Sequence, residues 1–72
     1  MTIHNAEVRK ISYEQAESIM CTFQPLGLFY ALKNGVYVGI DNSNGNAWTE
    51  AFSNLHKCKR WLSNPHLIAE EM

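Results

Sequence analysis

The fold of this chain is decided by residues 26–40, LGLFYALKNGVYVGI. Residues 26–32 and 36–40 are rich in aromatic and β-branched side chains, and they flank the pair Asn34-Gly35. An Asn-Gly pair between two such runs is the strongest short-range signal of a β-hairpin. Two turns are compatible with this segment. A two-residue turn pairs Tyr30 with Gly39, whereas a three-residue turn over residues 33–35 pairs Tyr30 with Val38.

We favour the three-residue turn, because it collects the bulky residues on one face of the hairpin. That face holds Leu28, Tyr30, Leu32, Val36, Val38 and Ile40, and the other holds Phe29, Ala31, Tyr37 and Gly39. In this register Phe29 and Tyr37 lie together on the second sheet face. Aromatic side chains on an uncovered sheet can anchor a protein partner or stack on bases. Phe29 and Tyr37 are therefore the predicted partner-binding residues.

A first helix is predicted before the hairpin. Ser12 and Gln15 have the spacing of a capping box, in which each side chain accepts a hydrogen bond from a backbone N–H at the helix start. Apolar residues then recur at helical spacing, at Tyr13, Ala16, Ile19, Met20 and Phe23. The helix should end near Cys21 or Thr22, because Pro25 disfavours helical geometry in the residue before it.

A third strand and a second helix are predicted after the hairpin. Residues 41–46 have turn composition, and residues 47–52 alternate as in a strand. Ser53 is the predicted cap of a helix that ends before Asn64-Pro65, with an apolar stripe of Leu55, Cys58, Trp61 and Leu62. Residues 8–11 fit either a short strand or an arm.

The predicted fold class is therefore α+β, with two helices on one face of a three-stranded antiparallel meander, in the order α-β-β-β-α. The 72 residues form one domain, in which residues 1–7 are interpreted as a flexible arm and residues 66–72 as a tail.

Composition narrows the function classes. Hydrophobic residues make up 46% of the chain and the formal charge is −1, which indicates a globular domain without the strong positive charge typical of nucleic-acid binding. No apolar run approaches the roughly 20 residues that span a bilayer, and the first residues lack the pattern of a signal peptide. We therefore expect a cytoplasmic protein that does not interact with membranes.

No motif for catalysis, a cofactor or a metal is recognised, and the protein is predicted not to be an enzyme. Cys21, Cys58, His56 and His66 lack the paired spacing of a zinc site. Both cysteines are interpreted as buried structural thiols.

A basic cluster on the second helix gives the alternative function. Lys57, Lys59 and Arg60 could contact the phosphates of a nucleic acid, and the order of elements resembles that of double-stranded RNA-binding domains. The same residues also fit a solvated helix face whose cations lie near the C-terminal end, where the helix dipole favours them.

The run from residue 37 to residue 52 carries a further resemblance. It contains Tyr37-Val38-Gly39-Ile40-Asp41-Asn42-Ser43, Gly45, Ala47-Trp48-Thr49-Glu50 and Phe52. This run resembles one in small uncharacterised proteins of Gram-positive bacteria and their mobile elements, which implies an accessory protein of phage, plasmid or transposon origin. The predicted function is a non-enzymatic protein-binding accessory module, an inhibitor or regulator whose partner is an unknown protein or a second copy of the chain.

Overall fold

The computed structural model describes residues 7–63, which form two helices and four strands. In chain order these elements are β1 (Val8–Lys10), α1 (Tyr13–Thr22), β2 (Gly27–Lys33), β3 (Val36–Asn42), β4 (Trp48–Phe52) and α2 (Leu55–Ser63). The predicted arm over residues 1–7, apart from Glu7, and the predicted tail over residues 66–72 lie outside the described residues.

The strands form one mixed sheet in the order β1-β2-β3-β4. β1 runs parallel to β2, and the other neighbours are antiparallel. The α+β class is confirmed, but the three-stranded meander is wrong because residues 8–10 add a fourth strand. The backbone N–H of Ile11 extends this pairing by donating to the Tyr30 carbonyl over 2.9 Å.

The hairpin has the two-residue turn, so the predicted register is also wrong. Asn34 and Gly35 both have positive φ angles, of 54° and 78°, as a type I′ turn requires. Lys33 therefore pairs with Val36, and Tyr30 pairs with Gly39. The twist of this turn matches the twist of the strands, and it overrides the preference for gathering bulky residues on one face.

The two helices lie on opposite faces of the sheet, which corrects the prediction that they share one face. On the α1 face, Ala16 and Ile19 pack against Phe29, Ala31 and Ile40. On the α2 face, Leu28, Tyr30, Cys58 and Leu62 form a second cluster. β2 supplies alternate residues to both clusters, and the continuous apolar run 28–31 is typical of a strand covered on both sides.

The helix boundaries follow their capping residues. Ser12 and Gln15 form the predicted capping box, and α1 ends at Thr22 as expected. The cap of α2 is Asn54 and not Ser53, because the Asn54 side chain accepts a hydrogen bond from the Lys57 N–H over 3.1 Å. Neither α1 nor α2 is long and apolar enough to cross a membrane.

Gly39 allows α2 to approach the sheet closely. A Cβ atom at this position would lie 3.1 Å from Cys58 Sγ and 3.2 Å from Trp61 Cε3. Only the two-residue turn directs this position towards α2, since it places Gly39 opposite Tyr30 on the α2 face. The missing side chain is therefore part of the packing of the second cluster.

Candidate protein-interaction site

The predicted contact face of Phe29 and Tyr37 is not formed, because the two side chains lie on opposite sides of the sheet. Phe29 is only 3% exposed and belongs to the cluster under α1. Tyr37 is half-buried on the α2 face, where its ring centroid lies 6.4 Å from that of Tyr30. The hairpin register differs by one residue from the predicted one, and such a shift moves one of the two side chains to the opposite face of the sheet.

Among residues 7–63, the exposed large apolar side chains are instead concentrated at the ends of the sheet. Two of them, Leu32 and Val36, flank the Asn34-Gly35 turn, and we call this the turn end. Three lie at the opposite end, which we call the loop end: Phe23 is 48% exposed, Leu26 63% and Trp48 62%. Phe23 and Leu26 belong to the α1–β2 loop, and Trp48 begins β4 after the β3–β4 loop.

The side chain of Asn42 joins the two loops of the loop end. Asn42 is fully buried, and its Nδ2 donates to the Pro25 carbonyl over 2.7 Å. Its Oδ1 accepts from the Ala47 N–H over 2.9 Å. A buried amide must find such partners, and here both partners are backbone groups of the loops. Asn42 thus fixes the position of the α1–β2 loop relative to the start of β4.

The β3–β4 loop is further shaped by short polar contacts. Asp41 Oδ1 accepts hydrogen bonds from the Ser43 N–H and the Ser43 hydroxyl, over 3.1 and 2.7 Å. Ala47 has a φ of 50°, which turns the chain immediately before Trp48. Leu26 reaches this loop, since a Cβ atom on Gly45 would lie 3.9 Å from Leu26 Cδ2. Leu26 of the α1–β2 loop therefore lies against the β3–β4 loop, at the same end of the sheet as Trp48.

Phe23 occupies an unfavourable backbone conformation at the loop end. It is the C-cap of α1, in the left-handed region with φ 60° and ψ 31°. Helices commonly end in this conformation with glycine, and a bulky residue there costs roughly 1–2 kcal/mol. Backbone strain of this kind clusters at functional sites. The half-exposed ring of Phe23 therefore points to a role outside the folding of α1.

The loop end also carries concave surface. Three depressions of about 720, 410 and 260 Å³ all border Pro25. The largest is lined by residues 22–26 at the end of α1 and in the following loop, so it is an open depression and not an enclosed cavity. The smallest lies between β1 and α1, beside the buried side chains of Ile19 and Phe29. Shallow depressions of this kind can accommodate side chains of a protein partner.

The predicted nucleic-acid-binding residues do not form one compact patch. Lys57 and Arg60 are exposed and lie one turn apart on α2. Lys59 lies on another side of the helix, with its Nζ 5.8 Å from the centroid of the Tyr30 ring. One of the three cations is therefore directed to the edge of the second cluster.

The two cysteines differ in their environment. Cys58 is fully buried, as predicted, and burial raises the pKa of its thiol while Lys59 partly offsets this rise. Cys21 is exposed, so the prediction that it is buried is wrong. Within residues 7–63 no group of three or more His, Cys, Asp or Glu side chains could hold a metal ion.

Comparison of the chain with protein-family models, curated proteins and solved structures found no match.

The sequence pattern does not distinguish the residues of the loop end. It predicts Trp48 in a strand, Phe23 on the apolar side of α1, and Leu26 in the hairpin. One signal could have pointed to Phe23, because a helix that ends three residues before a proline leaves little room for the apolar residue after its last turn to face the core. The burial of Asn42 had no such signal, since its neighbours all have turn composition.

Proposed function

We propose that this protein is a non-enzymatic binding module that contacts a protein partner through the loop end. The observation that carries the proposal is that Phe23, Leu26 and Trp48 are all exposed at one end of the sheet, where the buried Asn42 joins the α1–β2 loop to the residue before β4. Binding residues are often placed on loops that a rigid scaffold positions. Exposed apolar surface that is concentrated in one region of a protein is typical of interaction sites.

The chemistry of the loop end favours a protein over a small molecule. Tryptophan and other large side chains carry most of the binding energy in protein interfaces, particularly where they surround shallow pockets. Small-molecule sites, in contrast, enclose most of the ligand surface, and the depressions around Pro25 are open. An accessory role in a phage or other mobile element, as an inhibitor or regulator, is part of this proposal and rests on the sequence resemblance.

The test compares two serine variants, one altered at each end of the sheet. The first replaces Phe23, Leu26 and Trp48, and the second replaces Leu32 and Val36 at the turn end as a matched control. Circular dichroism and NMR spectra establish that both variants fold. Tagged forms of each variant and of the unaltered chain are used for quantitative affinity purification from the native host.

We expect a partner that the unaltered chain and the turn-end variant retain and the loop-end variant loses. With that partner purified, calorimetry should show affinity at least about tenfold weaker for the loop-end variant, which corresponds to about 1.4 kcal/mol. Equal recovery of every partner by the two folded variants would refute the proposal.

Nucleic-acid binding through α2 is the second proposal. It is favoured by the exposed Lys57 and Arg60, and by the absence of acidic residues over the range Leu55–Ser63 of α2. It predicts binding to RNA or DNA that weakens as salt rises and as these charges are removed. A gel-shift experiment at low salt that shows no complex at micromolar protein would refute it.

A further inference from the structure

The hairpin register determines which backbone groups of β4 point away from the sheet. A two-residue turn is closed by a hydrogen bond between Lys33 and Val36, so these residues form the first hydrogen-bonded pair. Hydrogen-bonded and non-bonded pairs then alternate, and the backbone groups of Tyr37 and Gly39 point to β4. The bond from the Ile11 N–H to the Tyr30 carbonyl agrees with this alternation, because it requires Tyr30 to point to β1.

The same alternation leaves two residues of β4 with free backbone groups. Gly39 pairs with Glu50 and Tyr37 pairs with Phe52, so the N–H and C=O groups of Glu50 and Phe52 bond to β3. The groups of Thr49 and Ala51 point to the outer edge, where the sheet of residues 7–63 has no further strand. Both residues are exposed. This edge can accept an extended chain by β-strand addition.

The two edges of the sheet are not equally open to such a strand. β1 has three residues, and Arg9 and Lys10 are charged and exposed, which is a common protection against edge pairing. β4 has five residues and contains neither lysine nor proline. Its alternate residues Trp48, Glu50 and Phe52 lie on the α2 face of the sheet. The single charge at its centre therefore governs which strands can pair.

Glu50 opposes pairing between two copies of this chain. An antiparallel pair that bonds Thr49 of each copy to Ala51 of the other also places the two Glu50 side chains directly opposite each other. They would then occupy a non-bonded pair, where Cα atoms are only about 4.5 Å apart. Like charges at such positions destabilise a sheet, and opposite charges stabilise it.

We infer that the outer edge of β4 binds an extended segment of a partner protein that presents Lys or Arg opposite Glu50. Apolar residues two positions to either side of that cation would pair with Trp48 and Phe52 on the same face. This inference goes beyond the proposed function, because it rests on the backbone of β4 and the charge of Glu50 and not on the α1–β2 loop.

The experiment uses the chain's own Glu50→Lys variant as the basic strand. Unlabelled Glu50→Lys protein is added to ¹⁵N-labelled unaltered protein, and the amide signals of Thr49 and Ala51 are followed by NMR. Unaltered protein added to itself, and Glu50→Lys added to itself, are the like-charge controls. An Ala51→Pro version of the Glu50→Lys chain removes an outward N–H without breaking a bond to β3. Edge strands tolerate proline at such a position, because its nitrogen faces away from the sheet.

We expect the mixed pair to associate about five- to thirtyfold more tightly than either like-charge pair, with the largest shifts at Thr49 and Ala51. The Ala51→Pro version should abolish these shifts. Equal association of all three pairs, or no shift at these amides in the mixture at millimolar protein, would overturn the inference. Slow hydrogen exchange of the Thr49 and Ala51 amides in the unaltered monomer would also overturn it, because the edge would then be occupied.

Discussion

Replacing Gly39 with alanine tests the register of the hairpin and the position of α2 together. The added methyl group would lie 3.1 Å from Cys58 Sγ and 3.2 Å from Trp61 Cε3, which is closer than ordinary van der Waals contact. Cys58 is fully buried and Trp61 packs against Phe52, with ring centroids 5.8 Å apart. Neither side chain can move without disturbing the second cluster.

The expected cost follows from two opposing effects. Overpacking a core by a methyl group costs about 1–3 kcal/mol. Alanine is intrinsically better than glycine inside a strand by roughly 0.5–1 kcal/mol. Gly39→Ala should therefore lower the free energy of unfolding by about 1 kcal/mol, and lower Tm by about 4–8 °C in a domain of this size.

Urea and thermal unfolding of four proteins measure this effect: the unaltered chain, Gly39→Ala, Cys58→Ala and the double variant. Cys58→Ala removes the atom closest to the new methyl group, so it should cost about 1 kcal/mol less in the Gly39→Ala background than alone. If Gly39→Ala is as stable as the unaltered chain, or if Cys58→Ala costs the same in both backgrounds, Gly39 does not lie beneath α2 and our register is wrong.

Four further substitutions or treatments test individual features. Phe23→Gly should be about 1 kcal/mol more stable than Phe23→Ala in urea titration, because both variants lose the ring but only glycine accepts the left-handed C-cap of α1 at no steric cost; equal stability of the two would contradict the strain. Asn42→Ala should destabilise the fold by about 2–4 kcal/mol, because it leaves the Pro25 carbonyl and the Ala47 N–H without their partner; a loss below about 1 kcal/mol would show that the loops do not depend on this side chain. Thiol labelling should modify the exposed Cys21 rapidly and Cys58 only as the protein unfolds, and rapid labelling of both would contradict the packing of α2. Burial raises the pKa of Cys58 in the folded protein, so the stability that the protonated thiol contributes should be complete below the usual pKa near 9 and be lost as pH rises above it. Unfolding at graded alkaline pH should therefore show a loss of stability in the unaltered chain that Cys58→Ala lacks.

Local signals in the sequence predicted the individual elements well. The capping box at Ser12 and Gln15, the apolar stripe of α2 and the Asn34-Gly35 hairpin are all present in the structure. Each depends on residues close to one another in the chain. Interactions within a few residues leave a pattern in the sequence that elementary stereochemistry can interpret.

The arrangement of the elements was harder to predict, for a physical reason. The choice of the three-residue turn assumed that the sheet buries one face, whereas α1 and α2 cover both. The unbroken apolar run 28–31 was the available sign of a strand buried on two sides. The parallel pairing of β1 with β2 joins residues about 20 positions apart and leaves no local pattern. The loop-end surface depends on this arrangement, so it was not predictable before the fold.

β2 differs from the other strands in how much sequence change it can accept. Leu28, Phe29, Tyr30 and Ala31 are all buried, two towards each helix, so every substitution among them alters one core or the other. A saturation mutagenesis scan should therefore show β2 as an unbroken block of intolerant positions. Residues 48–51 of β4 are exposed on both faces and should accept most replacements. Chains that share this fold could thus acquire new partners by changing β4 and the loops, while the central strand stays constant.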